Sequence, residues 1–253
     1  MTGTHQRLYL PGDSALHRAP AEVKIVAAVA VVFVIVATPR ELVWPFACYG
    51  IGLAAVWRWA GIPLRWTAPR MLIELPFVVL ALLLPFGGGD PRIDVLGLSL
   101  SQPGLQAAWG IVAKGTLGVG VSLTIAATTD VRDLPGALSR LRVPAMIVTV
   151  VTLLLRYVDV LVDEAARMRL ARISRGDDPR TLRQAGATAR GVGSLFLRSY
   201  ERGERVHVAM LSRGFTGAMP EFGAATATRV QWVAAGAVVV ATVAVCAAAW
   251  VTR

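Results

Sequence analysis

Two tripeptides stand out for the chemistry their side chains can do. Ser174-Arg175-Gly176 and Ser212-Arg213-Gly214 each close a stretch rich in arginine. A guanidinium is a rigid fork of N–H donors that binds carboxylates and carbonyls in pairs. Glycine ends a helix at little cost, because the left-handed conformation suits it. The two motifs therefore read as helix ends, each offering an arginine to a partner. Complementing the negative end of its own helix dipole would explain one such arginine. Repetition, and the polar helices around both motifs, argue for more.

Other chemistry finds no constellation. There is no GxxxxGK[ST] loop for ATP, no HExxH and no GxSxG. Histidine, cysteine and paired carboxylates never fall at metal-ligand spacing. His5 and His17 are isolated and are expected to bind no metal. Cys48 and Cys246 lie in apolar segments and face lipid or core. Thr128-Thr129-Asp130 and Asp177-Asp178-Pro179 read as turns and caps.

The elements that must position the motifs are two amphipathic helices within 156–214. In the first, Val158, Leu161, Ala165 and Met168 recur at helical spacing as an apolar stripe, and Asp163 precedes Arg167 by one turn. In the second, Phe196, Tyr200, Gly203, His207 and Met210 share one face. Arg198, Arg202 and Arg205 form a neighbouring basic stripe, with Glu201 one turn before Arg205. Glycine costs a helix interior about 1 kcal/mol relative to alanine. Gly203 is therefore expected to mark a close crossing, with the first helix of the pair as the simplest partner. Asp178 as N-cap and Pro179 at the first helical position predict a short intervening helix. Gly191 and Gly193 would close it, and Ser194 would cap the next.

The setting is a membrane. The chain has 253 residues, 55% of them hydrophobic, and a formal charge of +10. Its mean hydropathy is +0.58. Long apolar runs at such values mark a membrane protein. Arginine supplies nearly all the positive charge, with Lys24 and Lys114 the two lysines. Nucleic acid is the rival reading of a basic chain, but no soluble nucleic-acid-binding module is present.

Five spans are predicted. They run over 25–38, 42–59, 71–86, 104–128 and 230–250, with tryptophans near several ends. Residues 87–103 read as a loop, and 132–142 as a short amphipathic helix. Residues 145–155 are apolar but too short to cross alone, and they merge into the first arginine helix. Gly110, Gly115, Gly118 and Gly120 permit close helix approach. A cytoplasmic N-terminus puts the arginines of 58–70 and the charged stretch 129–228 inside, as the positive-inside rule asks. Glu74 and Lys114 are charges within spans. At about 1.5 Å per residue they sit roughly 13 Å apart in depth. Glu74 is thus expected at the interface, and Lys114 turned to protein interior or snorkelling.

The helix pair RYVDVLVDEAARMRLARISRG (156–176) and RSYERGERVHVAMLSRGF (198–215) resembles the T component of energy-coupling-factor ABC transporters, cobalt type, the CbiQ family. ALHRAPAEVK (15–24) and TTDVRDLPGALSRLRVP (128–144) extend the resemblance. The family's helices end in an Ala-Arg-Gly-like motif; here serine replaces the alanine twice.

The resemblance implies an all-α, polytopic membrane protein of about five transmembrane helices. A cytoplasmic coupling domain (129–228) would lie between a four-span region (1–128) and a last span (229–253). It implies a non-catalytic subunit in the cell membrane. Two cytosolic ATPase subunits would carry ATP and Mg, and a membrane S component would bind the substrate. Neither a cofactor nor nucleic acid is expected on this chain. By the family pattern, docking to the ATPases falls on Ser174, Arg175, Gly176, Ser212, Arg213 and Gly214. Helix-pair packing falls on Leu161, Met168, Tyr200, Gly203 and Met210. Cobalt(II) is the implied substrate, with nickel or a vitamin as alternatives. A stand-alone permease with Lys114 in its pathway, or a membrane-embedded enzyme, is the reading from a different class.

Overall fold

The computed structural model describes residues 8–87, 91–95, 98–176, 185–219 and 227–252. His5 and the Asp178–Pro179 cap lie outside them. The chain is a polytopic membrane protein of the all-α class, with one short strand pair. Ten α-helices are described: α1 (Ala15–Arg18), α2 (Ala21–Ala37), α3 (Trp44–Ala60), α4 (Leu64–Met71), α5 (Leu75–Gly87), α6 (Gln102–Thr128), α7 (Leu134–Arg140), α8 (Ala145–Ile173), α9 (Ala185–Ser212) and α10 (Arg229–Val251). Two compact units result. One runs from Arg7 to Val131 and again from Ala225 to Arg253; the other includes Arg132 to Ala224.

In the first unit α6 is the central post, packed by α2, α3, α4 and α5, while α10 lies on α2 and α3. Ile35, Phe46, Tyr49, Ala113 and Leu117 form its main core. Outside that core the helices show apolar residues to all sides, as spans in lipid do. Phe77, Leu82 and Leu83 on α5 and Val230, Val233 and Val240 on α10 are exposed. Among the described residues, four helical stretches suffice by length and composition to cross a membrane: Leu64–Gly87, Gln102–Thr128, Ala145–Ile173 and Arg229–Val251. Helices α2 and α3, at 17 residues each, stand at the short end of the range for a span of about 17–25 residues.

Three sequence expectations need correction in this unit. First, the helix of the third span begins at Leu64, seven residues before Met71. Pro63 sits at its N-cap. Pro76 cannot donate to the Leu72 carbonyl; Leu75 N–H takes that acceptor instead, and Leu72–Glu74 tightens into a 3-10 turn joining α4 to α5. Second, Glu74 therefore lies at the turn joining α4 to α5, midway along this stretch, and not one turn from its start. It is buried, and the Thr116 hydroxyl lies 3.0 and 3.2 Å from its two carboxylate oxygens. Lys114 points elsewhere and donates to the Val36 carbonyl at 2.6 Å. Third, within the stretch read as loop, β1 (Arg92–Val95) and β2 (Leu98–Ser101) pair as antiparallel strands, with Arg92 opposite Ser101.

The glycines of α6 separate by the same geometry. A Cβ on Gly104 would meet the Leu84 carbonyl oxygen at 2.7 Å, one on Gly110 the Arg40 Cβ at 3.1 Å, and one on Gly115 would strike the Glu74 carboxylate. Gly118 faces open space and is no part of that seam. The arm before α2 is also built in. Leu10 N–H bonds to the Ala127 carbonyl at 2.9 Å, and Leu10 and Leu16 pack beside Trp57, Ala60, Ile62 and Ala127. His17 is held at both ring nitrogens, by Ser14 Oγ at 2.7 Å and the Leu10 carbonyl at 3.0 Å.

The second unit holds α7, α8 and α9. α8 is one continuous helix of 29 residues, so 145–155 is not a separate segment. α9 is likewise continuous over 28 residues and passes through Gly191 and Gly193 without a break. The expected stop and restart there does not occur.

Candidate docking helices and their ends

Both tripeptides terminate their helices through glycine in the left-handed region, with φ of +83° at Gly176 and +80° at Gly214. The second end is a complete Schellman motif. Gly214 N–H bonds to the Leu211 carbonyl and Phe215 N–H to the Met210 carbonyl, both at 3.0 Å. At the first end Gly176 N–H bonds to the Ile173 carbonyl at 3.0 Å. Ser174 and Ser212 turn their hydroxyls back onto their own helices, to the Ala171 carbonyl at 3.0 Å and the Val208 carbonyl at 2.9 Å. That leaves Arg175 and Arg213 as the side chains each tip displays; both are exposed. Among the described residues neither guanidinium has a hydrogen-bond partner.

What joins α8 to α9 is ionic. Glu164, only 8% exposed, accepts from Arg202 Nη2 at 3.0 Å and from Arg198 Nη1 at 3.4 Å. Arg172 Nη1 donates to Thr188 Oγ1 at 3.1 Å farther along. As the α8 number rises the α9 number falls, so the helices run antiparallel. The tips therefore lie at opposite ends of the pair. With about 1.5 Å of rise per residue, Arg175 is ~17 Å beyond Glu164 one way and Arg213 ~20 Å beyond the bridge the other way.

The packing residues divide accordingly. Leu161 and Met168 are half-buried on the same side of α8 as Glu164, and Met210 is half-buried on α9. Tyr200 is 60% exposed, and a Cβ on Gly203 would meet no described residue within 4 Å. The expected close crossing at Gly203 is thus absent. The inner row of α9 is Leu195, Ser199, Arg202, Val206 and Met210, turned from the expected face by one residue. The reason is electrostatic. A buried carboxylate must be matched, and matching Glu164 turns Arg202 inward, while the exposed Arg198 reaches it from the rim. The sequence carried a signal for this: Glu164 falls three residues after Leu161 and four before Met168, inside the apolar stripe.

Among the described residues no three His, Cys, Asp or Glu side chains gather as a metal site.

The model of the CbiQ cobalt transport proteins matches residues 12–222. The chain belongs to that family. One CbiQ relative, the cobalt transport protein of Rhodobacter capsulatus, is 30% identical over 169 residues, 66% of this chain and 67% of that protein. The energy-coupling factor transporter transmembrane protein EcfT of Bacillus selenitireducens is 25% identical over 224 residues, covering 83% of this chain and 82% of its own length. A putative fused cobalt transport protein, CbiMQ, of Methanocorpusculum labreanum is 26% identical over 180 residues; the match spans 66% of this chain and 30% of that protein. These CbiQ and EcfT relatives are named as transport components, and this chain is accordingly a membrane transport component of the energy-coupling-factor type.

Proposed function

We propose that this chain is the transmembrane coupling subunit of an energy-coupling-factor importer for cobalt(II). The observation that carries the reading is the pair of tips. Two exposed guanidiniums stand on left-handed glycine stops at opposite ends of one antiparallel helix pair. One partner of ordinary interface size covers about 800 Å² on each side. Tips roughly 35 Å apart therefore suit two separate partners better than one. We assign those partners as two cytosolic ATPase subunits, gripped through Arg175 and Arg213, with residues 129–228 as the cytoplasmic coupling domain. Closing and opening of the ATPases would move the two ends differentially, and only contacts that differ between nucleotide states can drive that movement. The membrane helices would pass the motion to an S component that holds the metal. The N-terminus is placed in the cytoplasm, because that orientation puts Arg58, Arg65 and Arg70 inside with the coupling domain. Cobalt follows the family and the Rhodobacter relative.

The test is co-purification. Arg175→Glu and Arg213→Glu should each lower the recovered ATPase, and the double variant should lower it ~10-fold or more, as loss of interface arginines does. The double variant must still be extracted from the membrane fraction as a monodisperse protein. ATPase recovery equal to wild type in that variant would sink the reading. Import assays with cobalt(II), nickel(II) and a vitamin on the complete complex decide the substrate.

A further inference from the structure

The chain leaves the membrane unit at the end of α6 and returns to it at the start of α10. Both crossings are tied to one turn of α2. Lys24, 7% exposed, donates Nζ to the Thr128 carbonyl at 2.7 Å and to the His17 carbonyl at 3.4 Å. Thr128 is the last residue of α6. Glu22, 4% exposed, accepts the Ala227 N–H at 3.2 Å through Oε1. Ala227 immediately precedes Thr228, the N-cap of α10. The signs match the helices. A cation stands at a helix C-terminus and an anion beside a helix N-terminus, each favoured by the macrodipole there. The residues bridged are 104 and 205 positions apart in sequence. Burying a charge is costly unless it is paired and hydrogen-bonded, so two such charges in one turn are hard to explain as mere surface contacts.

We propose that Glu22 and Lys24 are positioning residues for coupling: a two-point clamp that fixes both crossings to α2, so that movement of the segment between them reaches the membrane helices. This rests on the coupling role proposed above. Without the clamp the helix pair could still be gripped and moved, but its two connections would give locally and the motion would be lost.

Two measurements test it. The first uses the purified chain alone, with no partner, and follows amide hydrogen exchange. Lys24→Met should speed exchange over 125–131 and leave 227–231 unchanged; Glu22→Met should do the reverse. The change should be ~10-fold or more, the size set by losing a hydrogen bond to a charged group. Lys24→Arg keeps a donor and Glu22→Gln keeps an acceptor, so both should restore most of the protection. The second uses the complete transporter in proteoliposomes, measuring cobalt(II) import and ATP hydrolysis together. The methionine variants should retain ATPase subunits and hydrolysis, while import per ATP falls ~10-fold. Unchanged exchange at both crossings overturns the clamp whatever the complex does. Faster exchange with an unchanged import-to-ATP ratio overturns its coupling role, and leaves the docking of Arg175 and Arg213 to be judged by its own test.

Discussion

Arg202 of α9 reaches 3.0 Å from Oε2 of Glu164 on α8, and that carboxylate is the only buried acid among the described residues of its unit. Arg198 completes the pair of guanidiniums around it. The bridge should set the spacing of the two tips. Spin labels at Ser174→Cys and Ser212→Cys, in a background with Cys48 and Cys246 replaced by serine, would report that spacing. The wild-type distance distribution should be narrow. Glu164→Leu should broaden it, because Arg202 and Arg198 lose their shared counter-charge. Glu164→Arg combined with Arg202→Glu should recover part of the narrowing; an unaltered distribution in Glu164→Leu would count against the bridge as the spacer.

Gly203 offers a sharper contrast. Since no described residue approaches the place of its Cβ, Gly203→Ala should raise stability by about 1 kcal/mol through helix propensity alone. Gly214→Ala should lower it by about 1–2 kcal/mol, because alanine resists the left-handed conformation at φ +80°. Thermal unfolding in one detergent would rank the two, and a destabilised Gly203→Ala would mean that something covers this face.

Within the membrane unit, Gly104→Ala should destabilise by about 1–3 kcal/mol, since the added methyl meets main-chain atoms that cannot swing aside. Those atoms are the Leu84 carbonyl oxygen at 2.7 Å and the Pro85 Cα at 2.9 Å. Gly118→Ala, facing open space, should change stability by less than about 1 kcal/mol. Denaturant titration of both variants in mixed micelles is the check.

Tyr49→Phe should cost about 0.5–1.5 kcal/mol. The phenol oxygen sits 3.1 Å from Thr38 Oγ1 and donates to the Thr242 carbonyl at 3.3 Å, linking α3 to the end of α2 and to α10. A thermal shift no larger than that of Gly118→Ala would show the link to be idle.

Some of this was legible in the residues and some was not. Gly176 and Gly214 were, because a helix that stops on a left-handed residue almost demands glycine. The long α8 was half legible: its apolar start looked too short only while it was considered apart from the arginine-rich half. The inner face of α9 was less legible, because its apolar residues spread over a broad arc beside the charged one. Phe196 and Tyr200 are as apolar as Val206 and Met210, and periodicity alone does not choose between two such rows. Glu164 chose. The place of Glu74 along its helix was not legible, because Pro63 and Pro69 read as breakers, whereas the chain turns Pro63 into a cap and continues through Pro69. A helix start seven residues earlier lengthens the helix ahead of Glu74 by about 10 Å.

The order of synthesis gives the central place of α6 a last consequence. Helices α2 to α5 leave the ribosome before the post they lean on exists. α10, which lies on α2, arrives only after the whole charged stretch has been made. Nascent α2 therefore waits for two late neighbours, with Glu22 and Lys24 lacking the contacts to Ala227 and Thr128 until each arrives. Insertion factors that shelter half-built bundles should matter more for this chain than for one whose neighbours in sequence are also its neighbours in space.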